Sequence, residues 1–164
     1  MTTAAALLAE FTHEAAVTRT HLSRIPDDRL DWRPHRKSFT TRELASHIVE
    51  CVRWTSAIFA ADEYDFDPAA YRPYRAASVE DLLASFDGET AAGQQALRSA
   101  GDASVADPWR LKVLGRVRLE RSRADALRDF TLSHQIHHRG QLTVYLRLLD
   151  VPVPGSYGPT ADET

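Results

Sequence analysis

Apolar residues recur at intervals of three and four positions in four stretches of the chain, the spacing of one face of an α-helix. The first stretch must end before Pro26, because a residue that precedes proline is disfavoured in a helix. The pattern predicts four helices, near residues 4–25, 40–61, 78–100 and 122–149. Four amphipathic helices around one core make a four-helix bundle, so the predicted fold class is all-α.

Local signals support these boundaries and add one further element. Thr40-Thr41-Arg42-Glu43 has the spacing of a capping box at the start of the second helix. Residues 109–120 alternate between apolar and polar side chains around Leu114-Gly115, which predicts a short β-hairpin between the third and fourth helices. We expect a loop over residues 26–39 and a connector over 62–77, which contains two prolines.

Size and charge narrow the class of protein. The 164 residues carry 20 Lys and Arg against 23 Asp and Glu, a formal net charge of −3. This predicts one domain over residues 1–164 and argues against nucleic-acid binding, which normally requires a basic face. No apolar run approaches the roughly 20 residues of a membrane span. With a single cysteine and no secretory signal at the start of the sequence, we expect a cytoplasmic protein.

Three histidines fall on predicted buried faces. His134 and His138 are four positions apart on the fourth helix, and His47 lies in the apolar stripe of the second. Buried imidazoles are costly without partners, and one metal ion would satisfy all three. The alternative is a set of core histidines with ordinary hydrogen-bond partners. His137 could also chelate with His134, but Gln141 extends the face of His134 and His138, which favours His138.

Several neighbouring residues have two interpretations each. Gln141 either orients a ligand or closes a hydrogen bond in the bundle, and Arg139 either binds an anionic substrate group or caps a loop. Glu50 is either a general base or, as we favour, a solvent-facing residue. Cys51 is either a fourth ligand or, as we favour, a small core residue. We expect His13, His21 and His35 to be surface or loop residues.

Several runs of residues form a pattern that covers nearly the whole chain. The most specific run is Ser-His-Gln-Ile-His-His-Arg-Gly-Gln at 133–141. It is accompanied by Glu-Leu-Ala-Ser-His at 43–47, Leu-Asp-Trp-Arg-Pro at 30–34, and the closing segments 145–147, 151–154 and 157–159. In these runs the chain resembles the DinB/YfiT-like family of small metal-binding four-helix proteins. The family name derives from DNA-damage induction, but this acidic chain gives no reason to expect DNA binding.

The resemblance implies a metal site and a class of reaction. It implies that one divalent ion, zinc or nickel, is held by His47, His134 and His138. Three imidazoles leave a coordination position open, as in catalytic sites. The family includes S-transferases that use low-molecular-weight thiols, so a thiol co-substrate and an electrophile are the expected partners. The alternatives are a non-catalytic, stress-responsive metal-binding or interaction protein, and a metal-dependent hydrolase or isomerase on the same site.

Assembly is a separate expectation. The resemblance, together with Trp54 and Phe59 beside the apolar stripe of the second helix, predicts a homodimer through helical faces.

Overall fold

The protein is described from a computed structural model, which covers residues 2–163. Within these residues the helices are α1 (Thr3–Leu22), α2 (Thr41–Ala60), α3 (Val79–Ser99), α4 (Asp102–Ala106), α5 (Arg123–Leu127) and α6 (Ser133–Leu148). A π-helical turn, Arg128–Leu132, joins α5 to α6, and a single 3-10 turn, Asp27–Arg29, follows α1. The three strands are β1 (Glu63–Phe66), β2 (Pro108–Val113) and β3 (Arg116–Ser122). The predicted mostly helical fold with a short hairpin is confirmed.

The ends of the helices follow the local chemistry of the sequence. At the start of α2 the Thr40 hydroxyl accepts from the Glu43 amide at 3.1 Å, and the Glu43 carboxylate accepts from the Thr40 amide at 2.7 Å. The predicted capping box is therefore present. Helix α1 ends at Leu22 rather than near residue 25, because Arg24 and Ile25 form tighter i→i−3 hydrogen bonds. Ile25 nevertheless remains buried in the core.

The helices pack around a continuous apolar core. The predicted stripes of α1 and α2 are buried, and α2 contacts both α3 and α6. The helices approach closely at Gly93, where a β-carbon would lie only 2.8 Å from Phe11 Cζ. The stripe predicted for the fourth helix included Gln141 and Leu148, and it is wrong at these two positions, since both side chains are exposed, Leu148 by 56%. The π-helical turn explains the error, because an i→i+5 turn rotates the following helix relative to a regular 3.6-residue period.

A short three-stranded sheet covers one side of the bundle. β2 pairs antiparallel with β3 and parallel with β1. Leu114 and Gly115 at the hairpin turn both have positive φ, and the Asp65 carboxylate accepts from the Gly115 amide at 3.0 Å. β1 lies within residues 62–77, which we expected to form a connector, and α4 was not predicted. The strand is only four residues long, the shortest run over which alternation indicates a strand.

Buried polar groups tie the remaining segments to the bundle. Arg123 donates to the carbonyl oxygens of Ile58 and Ala61 at the end of α2. His21, which we expected at the surface, lies on α1 and is fully buried. Its Nδ1 lies 2.8 Å from the Val17 carbonyl oxygen, and this hydrogen bond takes the place of one to water. His13 and His35 are exposed, as expected.

Trp54 and Phe59 are not the exposed apolar residues that the dimer argument assumed. Both are partly buried and pack against the core of their own chain. The homodimer stays a prediction without that support. Among residues 2–163, no helix combines the length and the apolar character that crossing a membrane requires.

Arg139 forms a buried ion pair that joins α6 to α1. Its Nη1 lies 2.7 Å from Glu14 Oε2 and 3.1 Å from Thr18 Oγ1. Its Nη2 donates to the Tyr157 hydroxyl at 2.6 Å, which fastens the C-terminal segment to the same pair. Arg139 therefore caps a neighbouring segment, the second of its two interpretations, and its charge is neutralised by Glu14 rather than available to a substrate.

We expect Arg139→Met to lower the free energy of unfolding by about 3–5 kcal/mol, because it leaves the Glu14 carboxylate buried without its partner. Urea denaturation followed by circular dichroism measures this. Arg19→Met is the matched control, since the Arg19–Asp87 pair is about half exposed and its loss should cost less than about 1 kcal/mol. Equal losses in the two variants would contradict the assignment of Arg139 as a structural residue.

Candidate metal centre

Three imidazole rings meet where α2 packs against α6. His47 lies on α2, and His134 and His138 lie one turn apart at the start of α6. The ring centroids of His47 and His134 are 5.0 Å apart, and both rings lie 4.7 Å from the ring of His138. The structure thus brings together the three histidines that the sequence analysis selected.

The distance between two of the nitrogens fits a divalent ion in tetrahedral geometry. His47 Nε2 and His134 Nε2 are 3.3 Å apart. Two nitrogens that each lie about 2.0–2.1 Å from a zinc ion at a tetrahedral angle are separated by about 3.3–3.4 Å. The side chains of this chain could therefore hold such an ion with little rearrangement of this pair.

Cys51 completes a group of four. Its ligand atom and those of His47, His134 and His138 all lie within 4.8 Å of one another. The side chain is 1% exposed, as expected of a core residue, but it also faces the histidines. Burial, followed by the nearby charge of Glu50, raises the pKa of the thiol to about 12. The group could hold a metal ion with three or four protein ligands.

Hydrogen bonds orient two of the rings so that Nε2 is free to bind a metal. His47 Nδ1 lies 3.3 Å from Glu50 Oε2, and His138 Nδ1 lies 2.8 Å from Gln141 Oε1. Because both oxygens accept hydrogen bonds, Nδ1 carries the proton in each ring. Carboxylate or amide partners of this kind are typical of histidine metal ligands. Gln141 is exposed and acts on His138, so its place among the catalytic residues stays a prediction.

Glu50 is not the solvent-facing residue that we expected. Its side chain is 12% exposed, and besides His47 it accepts from the Tyr71 hydroxyl at 2.7 Å and from the Tyr74 amide at 3.0 Å. Burial opposes the charge, but these hydrogen bonds outweigh it and lower the pKa of the carboxyl group. The connector after β1 supplies both tyrosines, and the sequence pattern gave no sign that it would fold back onto α2.

The environment keeps the rings on α6 neutral. Burial, opposed by Gln141 and reinforced by the neighbouring rings, lowers the pKa of His138 to about 4. Burial and the proximity of His47 also lower the pKa of His134. Because metals bind the neutral form of imidazole, these shifts favour metal binding over protonation at neutral pH.

His137 lies outside the group of four. It is exposed on the surface of α6, and its Nε2 accepts from the Gln141 amide at 3.1 Å. His134 and His138 are thus the pair on α6 that faces His47, while His137 holds the far side of Gln141.

Two cavities border the histidines. One, of about 520 Å³, lies beside His47 and is lined by aromatic side chains of α2, β1 and the following connector. The other, of about 460 Å³, lies beside His138 and includes Lys37, Ser38 and Gln141. Small molecules could therefore reach the cluster from two sides. Tyr64, Phe66 and Tyr71 of the first cavity were missed, although the alternation Glu63-Tyr64-Asp65-Phe66 was a signal for a strand.

The fold and the cluster define a class: a small helical bundle with a histidine- and cysteine-containing group that could bind a metal between two helices. The profile of the DinB family matches residues 1–164. The chain belongs to the DinB family.

Solved structures share this fold. A DinB-like protein from Bacillus cereus ATCC 10987 superposes with a TM-score of 0.74 at 23% sequence identity, over 92% of this chain and 95% of that one. A DinB-like protein from Bacillus subtilis, YjoA, gives 0.68 at 19% identity, over 89% of this chain and 94% of that one.

One relative has a higher sequence identity, but only over a short segment. A segment of 34 residues is 53% identical to the uncharacterized protein YrdA of Bacillus subtilis (strain 168). The match spans 21% of this chain and only 20% of that protein.

We expect protein purified without chelator to contain about one divalent ion per chain, and His138→Ala to contain little, because the variant removes one of the converging imidazoles. Elemental analysis measures the metal content. His13→Ala is the matched control, since it removes an exposed imidazole of α1 that is not part of the group of four. Equal metal in wild type and His138→Ala would remove His138 from the site. The absence of metal from both wild type and His138→Ala would favour a core-histidine cluster.

We expect Glu50→Gln to weaken metal binding by about 10- to 100-fold, because the partner that orients His47 loses its charge. Competition with a chromophoric chelator gives the dissociation constant. Glu89→Gln is the control: it neutralises the carboxylate that pairs with Arg53, away from the histidines. Equal affinities for metal in Glu50→Gln and wild type would show that Glu50 serves only the connector.

Proposed function

We propose that this protein is a metal-dependent transferase that joins a low-molecular-weight thiol to a small electrophile. One observation carries the proposal: three imidazoles converge at a point that two cavities border. A purely structural site would have no need of such access. The DinB family is consistent with this class of reaction, and the ion proposed is zinc or nickel.

Different residues of the chain would hold the ion, orient its ligands and bind the two substrates. Three imidazoles would hold the ion, those of His47, His134 and His138. Glu50 would fix the orientation of the His47 ring, and Gln141 that of the His138 ring. A bound divalent ion supplies positive charge, which favours the thiolate form of a thiol that reaches it. The cavity with Lys37, Ser38 and Gln141 offers polar groups for the thiol, and the aromatic cavity offers apolar surface for the electrophile.

The reaction balances without a redox partner. The sulfur of the thiol forms a bond to the electrophilic carbon, and the bond from that carbon to its leaving group breaks. The leaving group departs with the electron pair, and the thiol proton passes to solvent. No electron donor or acceptor is therefore required.

A metal-binding protein without catalytic activity is the second candidate, and the position of Cys51 favours it. If Cys51 joins the three histidines, four protein ligands complete a tetrahedral set, which is the arrangement of structural sites. The two candidates thus differ in whether a coordination position stays open to a thiol.

We expect metal-dependent conjugation of monochlorobimane by the wild-type protein with at least one of bacillithiol, mycothiol and glutathione. His134→Ala should lose this turnover, because it removes a ligand. Fluorescence of the conjugate measures the rate, and His13→Ala, which removes an exposed imidazole of α1, should retain it.

Cobalt substitution distinguishes the two candidates without turnover. With an open position, addition of the thiol should change the visible spectrum of the cobalt protein, because a new sulfur ligand alters the ligand field. Absence of turnover with all three thiols, together with an unchanged cobalt spectrum, would refute the transferase and favour the metal-binding protein.

A further inference from the structure

Aromatic side chains line the cavity beside His47. Trp54 of α2, Tyr64 and Phe66 of β1, and Tyr71 of the connector all line it. Tyr64 and Tyr71 are 39% and 41% exposed, although large aromatic side chains are usually more buried. A volume of about 520 Å³ is in the range of small-molecule sites, roughly 300–1,000 Å³.

These walls are held in place by the surrounding structure. Tyr64 and Phe66 lie two positions apart on β1, so both side chains point to the same face of the strand. The Trp54 ring lies 4.9 Å from that of Tyr64 and is supported from behind by Phe130 at 5.3 Å. Tyr71 is fixed by its hydrogen bond to Glu50. The aromatic surface therefore requires little ordering when a ligand binds.

The charges at the cavity favour an anionic group. Arg72 lines the cavity, and within residues 2–163 no carboxylate pairs with it; its Nη1 donates only to the backbone carbonyls of Ala69 and Tyr71. Arg53, the second cation, is paired with Glu89. The one lining carboxylate, Glu50, is already engaged by His47, Tyr71 and Tyr74. Arg72 is thus the charge that a ligand can neutralise.

We propose that this cavity binds a planar aromatic anion, with its ring among Trp54, Tyr64, Phe66 and Tyr71 and its negative group at Arg72. Its role as the electrophile rests on the proposed transferase function, but the binding itself does not. Aromatic walls reward a flat π-system beyond its buried area, and a guanidinium binds a carboxylate with two parallel hydrogen bonds.

Calorimetric titration with two carboxylates of similar size tests the preference. We expect 2-naphthoate to bind about 2- to 10-fold more tightly than its saturated counterpart, decahydronaphthalene-2-carboxylate. The metal-loaded and the chelator-treated proteins are both titrated, because none of the four aromatic side chains belongs to the group of candidate metal ligands. Equal affinity for the two probes, or no binding of either, overturns the proposal.

Variants locate the site. Tyr64→Ala should weaken 2-naphthoate binding by about 2- to 10-fold, because it removes one aromatic wall. Arg72→Gln should weaken 2-naphthoate by about 2- to 5-fold and leave 2-naphthol unchanged. Arg118→Gln is the matched control, since it removes an exposed guanidinium of β3, and Arg118 does not line the cavity. Unchanged binding in Arg72→Gln, or equal losses in Arg72→Gln and Arg118→Gln, contradicts the assignment of the anion site.

The two proposals fail separately. Binding of 2-naphthoate that depends on Tyr64 and Arg72, without thiol conjugation, supports the aromatic site and refutes the transferase. Conjugation that 2-naphthoate does not inhibit, in a protein that does not bind it, supports the transferase and refutes the aromatic site.

Discussion

The contact between α2 and α6 brings three imidazole rings together in a partly buried interface. Their centroids lie 4.7–5.0 Å from one another, a spacing at which two protonated rings would repel strongly. Burial removes the water that would otherwise stabilise a charge, and it lowers the pKa of both rings on α6. Two neutral rings on α6, or three rings that share a metal ion, are compatible with this interface.

A neighbouring face of α6, about 100° around the helix, meets the same physical problem with a different solution. There Arg139 keeps its charge in the interior and is compensated by the Glu14 carboxylate and the Tyr157 hydroxyl. One helix thus carries a cluster of histidines on one face and a compensated ion pair on the next. Among the residues described, metal-ligating atoms converge within 4.8 Å of one another at the first face, which is why the candidate metal centre lies there.

Periodicity and caps predicted the helices and the capping box at Thr40, because these features depend on local spacing. The meeting of His47 with His134 and His138 followed from their places in the apolar stripes, because a helix bundle turns those stripes toward one another. The role of Glu50 could not be predicted, since its partners Tyr71 and Tyr74 lie more than 20 positions away along the chain. β1 was missed because its hydrogen bonds come from β2, which lies far along the chain. His21 was misassigned because its polarity suggested the surface. Its hydrogen bond to the Val17 carbonyl oxygen reduces the free-energy cost of burying the ring. The π-helical turn before His134 left no signal in the pattern of apolar residues, and it moved Leu148 out of the core.

The Glu50 carboxylate is shared between a candidate metal ligand on one side and the connector on the other. The two are therefore linked thermodynamically, because interactions that order one end lower the entropy that the other end must lose. The coupling is reciprocal. If metal binding stabilises the position of Tyr71, a molecule that holds Tyr71 in place strengthens metal binding by the same free energy. A single buried carboxylate thus makes the wall of the aromatic cavity and the orientation of His47 parts of one equilibrium.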